Sequence, residues 1–206
     1  MKVLMISGSP HRAGSSRLAL EEMAKAFAAE GVETELIEVG AGPVSGCTAC
    51  GDCKASGRCV IEDRVNEAIE KLAAADGLVV ATPVHYASPA GALLAFLDRM
   101  FYAGGGRFAH KPAAAFASAR RAGTTSSIDV INKYFTISQM PVVSSTYWNQ
   151  LYGSCQADAA QDAEGLQTAR NLARNMAWLM KCIAAGAAAG LTPPASERGN
   201  VTNFIR

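Results

Sequence analysis

Long apolar runs are absent. Half of the 206 residues are hydrophobic, yet charged and other polar residues break every stretch before it reaches the roughly 18 to 20 continuous apolar residues of a membrane-spanning helix. The formal net charge is only +1, and no basic run or aromatic-basic interleaving marks a nucleic-acid surface. No repeat and no low-complexity linker divides the chain, so one domain spanning 1–206 with a substantial core is expected. The Met1-Lys2 start leads directly into an apolar strand rather than a leader peptide, which predicts a cytoplasmic protein with neither membrane nor nucleic-acid partners. Two phosphate-binding fingerprints are also missing. Neither GxGxxG nor GxxxxGK[ST] occurs, and without the P-loop lysine a nucleoside triphosphate is a poor ligand.

What is present begins at the first sixteen residues. Residues 1–6 read as a short strand (Val3, Leu4, Met5, Ile6) running into Ser7-Gly8-Ser9-Pro10-His11-Arg12-Ala13-Gly14-Ser15-Ser16. After Ser16 an amphipathic pattern starts (Leu18, Leu20, Met23, Phe27), which places the loop's hydroxyls and free N–H groups at a helix N-terminus, where an anion is favoured. Gly8 and Gly14 permit close approach and Pro10 fixes the turn. Many neutral donors with little added cation suit a phosphate monoester such as that of FMN. The plainer alternative is an ordinary strand-to-helix turn with serine as its cap.

Further strands are predicted at 33–39 (Thr34, Leu36, Ile37, Val39), 77–81 (Leu78, Val79, Val80), 111–118 and 140–143. Helices are predicted at 65–75, 91–101, 128–137 and 162–186, with Asp63 or Asn66 capping the first of these. Five strands alternating with five helices imply a parallel sheet covered on both faces. Ligands of such sheets bind beyond the strands' carboxyl ends. Loops starting near Ser7, Thr82 and Ser118 occupy three of those ends, and all are rich in hydroxyls or glycine.

Three groups of residues then carry a resemblance: Gly8-Ser9-Pro10 with Gly14-Ser15-Ser16; Thr82-Pro83-Val84-His85-Tyr86 with Pro89 and Gly91; and Leu97-Asp98-Arg99. Together they resemble the flavodoxin-like NAD(P)H-dependent FMN reductases over nearly the whole chain. The resemblance implies a flavodoxin-like doubly wound five-stranded parallel sheet, order 2-1-3-4-5. It also implies FMN phosphate on Ser9, His11, Ser15 and Ser16, and the isoalloxazine edge on Pro83, Val84, His85 and Tyr86 and on Ser118, Ala119, Arg120, Arg121 and Gly123. The His11-Arg12 order departs from the family's and leaves the two as alternatives at the phosphate. Arg120 or Arg121 is a candidate cation for the reduced flavin, and His85 a candidate for tuning it or relaying a proton. Each of the three is equally readable as a surface or packing residue.

Six cysteines in a chain of this kind read as metal ligands, redox groups or buried thiols rather than disulfides. Cys47-x2-Cys50-x2-Cys53-x5-Cys59 lies in a glycine-rich loop at 41–62, and its compact spacing suits an iron-sulfur cluster better than zinc. Within the flavodoxin-like group this pattern resembles the iron-sulfur flavoproteins, implying one 4Fe-4S cluster that feeds FMN across a subunit contact. Cys155 and Cys182 are expected to pack. The expected activity is an FMN-dependent oxidoreductase fed by NAD(P)H or a ferredoxin-like donor. A flavodoxin-like carrier, a metal-free NAD(P)H:FMN or quinone reductase and a zinc-stabilised binding module are the alternatives. The Cys loop, the aromatic segment at 147–152 and the tail at 190–206, ending in Phe204 and Ile205, together predict a homodimer or homotetramer.

Overall fold

The computed structural model describes residues 1–200 and 202; the apolar end of the tail at 203–206 lies outside the described residues. Its elements are β1 (Lys2–Ser7), α1 (Ser15–Ala29), β2 (Glu33–Glu38), α2 (Cys53–Ser56), α3 (Arg64–Ala74), β3 (Gly77–His85), β4 (Ser88–Pro89), α4 (Gly91–Gly104), β5 (Ala113–Ala119), α5 (Thr124–Ile137), β6 (Gln150–Tyr152), α6 (Gln156–Ala159) and α7 (Ala163–Ala188). The sheet order is β2-β1-β3-β5-β6, with every neighbouring pair parallel. Setting aside β4, a two-residue strand antiparallel to β3, this is the flavodoxin-like order that the resemblance implied.

The period-two alternation of the strands divides the core into two layers. Val3, Met5, Val79, Ala114 and Phe116 face α1 and α7 through Leu20, Met23, Phe27, Leu172 and Met176. Leu4, Ile6, Leu78, Val80 and Ala115 face α3, α4 and α5 through Ile69, Leu72, Leu97, Met100, Ile131 and Phe135. Residues 78–81 are fully buried, as a central parallel strand requires. Asp63 caps α3, its carboxylate accepting from Val65 N at 3.0 Å.

The fifth strand differs from expectation. Residues 140–143 contribute only one isolated bridge, Ala113 with Val142, and the paired strand is β6, where Ala117 to Ala119 register with Gln150 to Tyr152. The chain runs beside β5 in two pieces. Pro141 and Val143 bond to Ala113, whereas Asn149 and Gly153 bond to Ala117 and Ala119. Between the pieces the chain leaves the sheet, with Tyr147 and Trp148 exposed. Residues 140–143 have the strand composition, but β5 offers its remaining partners further along to residues whose composition is weaker.

Gly153 ends the second piece where α6 crosses closely. A Cβ there would lie 2.4 Å from Ala159 N and 2.7 Å from Ala159 Cα, and backbone atoms cannot yield as a flexible side chain can. Gly153→Ala is expected to lower unfolding stability by about 1–3 kcal/mol, measured as a reduced urea midpoint at unchanged slope.

Candidate functional site

Three loops meet at the carboxyl ends of β1, β3 and β5. The β1 loop is anchored to β3 by Gly8 N donating to Ala81 O at 2.8 Å. It is pressed onto α4, since a Cβ on Gly8 would stand 2.6 Å from Leu93 Cδ2. Ser9 is buried and shapes the turn, its Oγ accepting from His11 N and donating to His11 O, each at 3.1 Å. Gly14 is the N-cap of α1 and provides no side-chain cap. Among the described residues no protein acceptor takes the N–H groups of Ser15, Ser16 and Arg17. Unpaired donors at the start of a fifteen-residue helix favour an anion through both hydrogen bonding and the helix dipole.

The serine hydroxyls are disposed differently from one another. Ser16 Oγ and Ser118 Oγ are buried and 2.7 Å apart, so these two hydroxyls join α1 to β5 beneath the loop. Ser15 Oγ donates to Cys155 O at 3.3 Å, which brings the segment after β6 to the loop's rim. Of the two side chains left open by the sequence, Arg12 leans toward Glu38 at 3.7 Å and is highly exposed, while His11 is exposed with only its backbone tied to Ser9.

The segment expected as a loop from Thr82 instead extends β3 to His85 and turns back through β4, with His85 opposite Ser88. The two turn residues, Tyr86 (φ 50°) and Ala87 (φ 58°), are both left-handed, a conformation disfavoured for residues with a Cβ. Tyr86 is fully exposed at this tip. Pro83 and Val84 are half-buried and His85 is exposed. Thr82 Oγ1 accepts from Ala90 N at 3.1 Å and closes the hairpin onto the start of α4.

The β5 loop locks against this hairpin at Gly123, whose φ is +88° and whose Cβ would meet Ala87 Cα at 2.6 Å and Val84 Cγ1 at 2.8 Å. Ser126 Oγ donates to Ala87 O at 2.7 Å. Ser118 and Ala119 are buried, whereas Arg120 and Arg121 are exposed and make no ion pair among the described residues. Sequence reasoning missed Thr124, which donates to Gln150 Oε1 at 2.6 Å and lies 3.3 Å from Tyr152 Oη. Its place as the first residue of α5 was the available signal.

The four clustered cysteines are free thiols and line one cavity of about 350 Å³ with Lys54, Arg99 and Tyr102. Among the described residues no three of His, Cys, Asp or Glu are gathered closely enough to chelate one ion. The loop follows left-handed turns at Ala49, Gly51 and Gly57, and α2 begins at Cys53. Cys59 is the best fixed of the four. Asn66 accepts from its N–H and donates to its carbonyl, both at 2.9 Å, and Arg99 Nε donates to its Sγ at 3.2 Å. In the sequence Arg99 stands only as part of the Leu97-Asp98-Arg99 motif; the structure makes it the buried anchor of this loop, with a side chain 1% exposed. Its fork reaches Asp63 Oδ2 at 2.6 Å and Oδ1 at 2.9 Å. Burial raises the Asp63 carboxyl, but the bonds from Arg99 and Val65 lower it by more and hold it below the usual carboxylate range. A larger cavity of about 580 Å³ lies between α4 and α5, lined by Tyr134 and Ile137 among others, and it shares Tyr102 with the cysteine pocket.

A doubly wound parallel sheet with donor-rich loops at three adjacent strand ends is the frame of a flavodoxin-like protein. Comparison with known proteins narrows that class. The family described as NADPH-dependent FMN reductase matches residues 1–151, and the chain belongs to it; it is a flavin-dependent oxidoreductase with FMN as its flavin. An iron-sulfur flavoprotein of Methanocaldococcus jannaschii is 34% identical over 191 residues, covering 89% of this chain and 99% of that protein. One from Methanosarcina thermophila is 29% identical over 187 residues, covering 89% and 97%. In fold the chain is similar to RosB with a bound 8-demethyl-8-formylriboflavin-5'-phosphate intermediate (TM-score 0.70, 18% identity, 100% of this chain and 94% of that one). It is also similar to an NAD(P)H:quinone oxidoreductase from Methanothermobacter marburgensis (TM-score 0.67, 19% identity, 85% and 96%). No helix among the described residues is long and apolar enough to cross a membrane.

The left-handed turn yields a direct test. Glycine adopts φ > 0 without the steric cost that alanine carries, at the expense of greater freedom in the unfolded chain. Because the first effect exceeds the second, Ala87→Gly is expected to raise stability by up to about 1 kcal/mol, read from urea unfolding.

Proposed function

We propose that this oxidoreductase passes electrons between NAD(P)H or a ferredoxin-like donor and an acceptor through FMN, with a 4Fe-4S cluster held by Cys47, Cys50, Cys53 and Cys59. The observation that carries the cluster is the common cavity of the four sulfurs. Thiolates of a cubane bind four different irons and so surround the group rather than converge on one point, which fits side chains lining a pocket better than a close-packed trio would. Cations without carboxylates line that pocket, as an anionic thiolate cluster requires.

FMN, when bound, supplies a centre that accepts two electrons as hydride or one at a time. The chain's own residues bind and orient it. The α1 N-terminus, with Ser9 shaping the turn and Ser15 and one of His11 and Arg12 at the rim, holds the phosphate; Ser16 acts through its N–H. The hairpin from Pro83 to Tyr86 and the β5 loop from Ser118 through Gly123 hold the ring edge. Arg120 or Arg121 sets a positive charge at that edge, and His85 holds or passes a proton there.

A second reading, a metal-free NAD(P)H:quinone reductase, is favoured by the exposure of Cys47 and Cys50, since buried ligands would be better shielded from solvent. Anaerobic purification decides between them. Flavin with iron and sulfide equivalent to one cluster per chain is the expected result; flavin with no more than trace iron, even after reconstitution, leaves the metal-free reductase. Each single Cys→Ser change at 47, 50, 53 or 59 is expected to lose iron while keeping FMN, and Cys155→Ser and Cys182→Ser to keep both. Ser9→Ala with Ser15→Ala is expected to weaken FMN binding by about 1.5–3 kcal/mol, measured by flavin titration.

A further inference from the structure

We infer that Arg99 is the positioning residue of the four-cysteine pocket: it fixes Cys59 against α4 and biases the group bound there toward its reduced form. The inference rests on the cluster proposed above. Its basis is that one buried guanidinium reaches the cysteine loop from several sides. Nε donates to Cys59 Sγ at 3.2 Å and Nη2 to Ile61 O at 2.9 Å. Nη1 lies 3.4 Å from Ser45 O, and both Nη atoms hold Asp63. Ser45 precedes the first cysteine and Ile61 follows the last, so a single side chain ties both ends of the loop to one point on a core helix. Little else does so by packing. Of the loop's hydrophobic residues only Val44 and Cys59 touch the core cluster.

The charge argument follows from the same geometry. Lys54 also lines the pocket but is exposed, and water screens it. Arg99 is buried, so its field on the pocket is less attenuated. Asp63 opposes it, but from the far side of the fork and with its own side chain 36% exposed. The planar guanidinium thus turns its carboxylate-paired edge outward and its Nε–H toward sulfur. A donor to a ligating sulfur stabilises the state with more negative charge, which for a one-electron couple is the reduced one. The step is electron addition from an external low-potential reductant; no bond of the loop forms or breaks.

Three variants separate position from charge. Arg99→Met removes both, Arg99→Lys keeps a charge without the fork, and Asp63→Asn keeps the guanidinium but removes the carboxylate that orients its fork. In protein holding FMN and stripped of metal, exchange of the Cys59 amide, whose N–H is held by Asn66, is expected to rise at least tenfold in all three, with the core strands unchanged. In cluster-loaded protein titrated with dithionite, Arg99→Met is expected to show about a tenfold loss of preference for the reduced form, 59 mV for one electron. Arg99→Lys should lie between it and the wild type. Unchanged exchange in Arg99→Lys and Asp63→Asn overturns the positioning role whatever the metal content. An unchanged potential in Arg99→Met overturns the bias. If Arg99→Met does not fold, the other two variants carry both readouts, Asp63→Asn then being expected to raise the potential. A wild type that takes up no iron refutes the cluster and the bias with it, while the exchange measurement still decides the hold on the loop.

Discussion

An arginine placed inside a small α/β domain is costly: moving a charge out of water amounts to several kcal/mol unless it is paired and its donors are met. Arg99 meets that requirement with a carboxylate, a sulfur and two carbonyls. The consequence is asymmetric. Exposed pairs such as Arg58 with Glu62 are screened by water and contribute little, whereas removing one partner of a buried pair costs about 3–5 kcal/mol. The definition of residues 45–63 therefore hangs on two buried side chains, Arg99 and Asn66, more than on buried area. The same helix also supports two of the three strand-end loops. Leu93 presses on Gly8, and Ala90, just before α4, bonds to Thr82. Arg99 follows Leu93 by six residues, about 9 Å along the axis, so α4 sets the spacing between the anion loop and the cysteine pocket.

Much of this was legible in the sequence because it depends on periodicity. The apolar run from Val3 to Ile6 announced a short strand, and the stretch from Leu78 to Val80 announced one buried on both faces. Helix starts were legible where a side chain caps them, as Asp63 does. The fifth strand was misplaced because the paired residues Gln150 to Tyr152 have a weaker strand composition than residues 140–143; the position of β5 decided pairing, and propensity did not. The hairpin was missed for a related reason. Short two-residue turns are signalled by Asn or Gly, and here Tyr86 and Ala87 take left-handed φ without that signal.

The candidate site was legible to a different depth in each loop. Glycine, serine and threonine at strand ends located all three, but the sequence had no means to tell which hydroxyls face outward. Ser16 and Ser118 are 102 residues apart, and their bond exists only because α1 crosses behind β5. The cysteine spacing named a chemistry, yet Arg99 lies 40 residues beyond Cys59. A lone arginine in an amphipathic helix reads as surface, and its burial is a fact of tertiary structure alone.

The interruption of the fifth strand bears on how the sheet ends. An edge strand that is long, flat and apolar invites another chain to add to it. On this side only Gln150 to Tyr152 pair regularly, and Pro141, lacking an N–H, sits in the other piece, so the row of free backbone groups is short and broken. The opposite edge, β2, carries Glu33, Glu35 and Glu38, with Glu35 bridged to Lys2 and Lys71. Different means thus blunt the two margins, one by shortening and one by charge, and the sheet is kept from growing by strand addition into fibrillar aggregates.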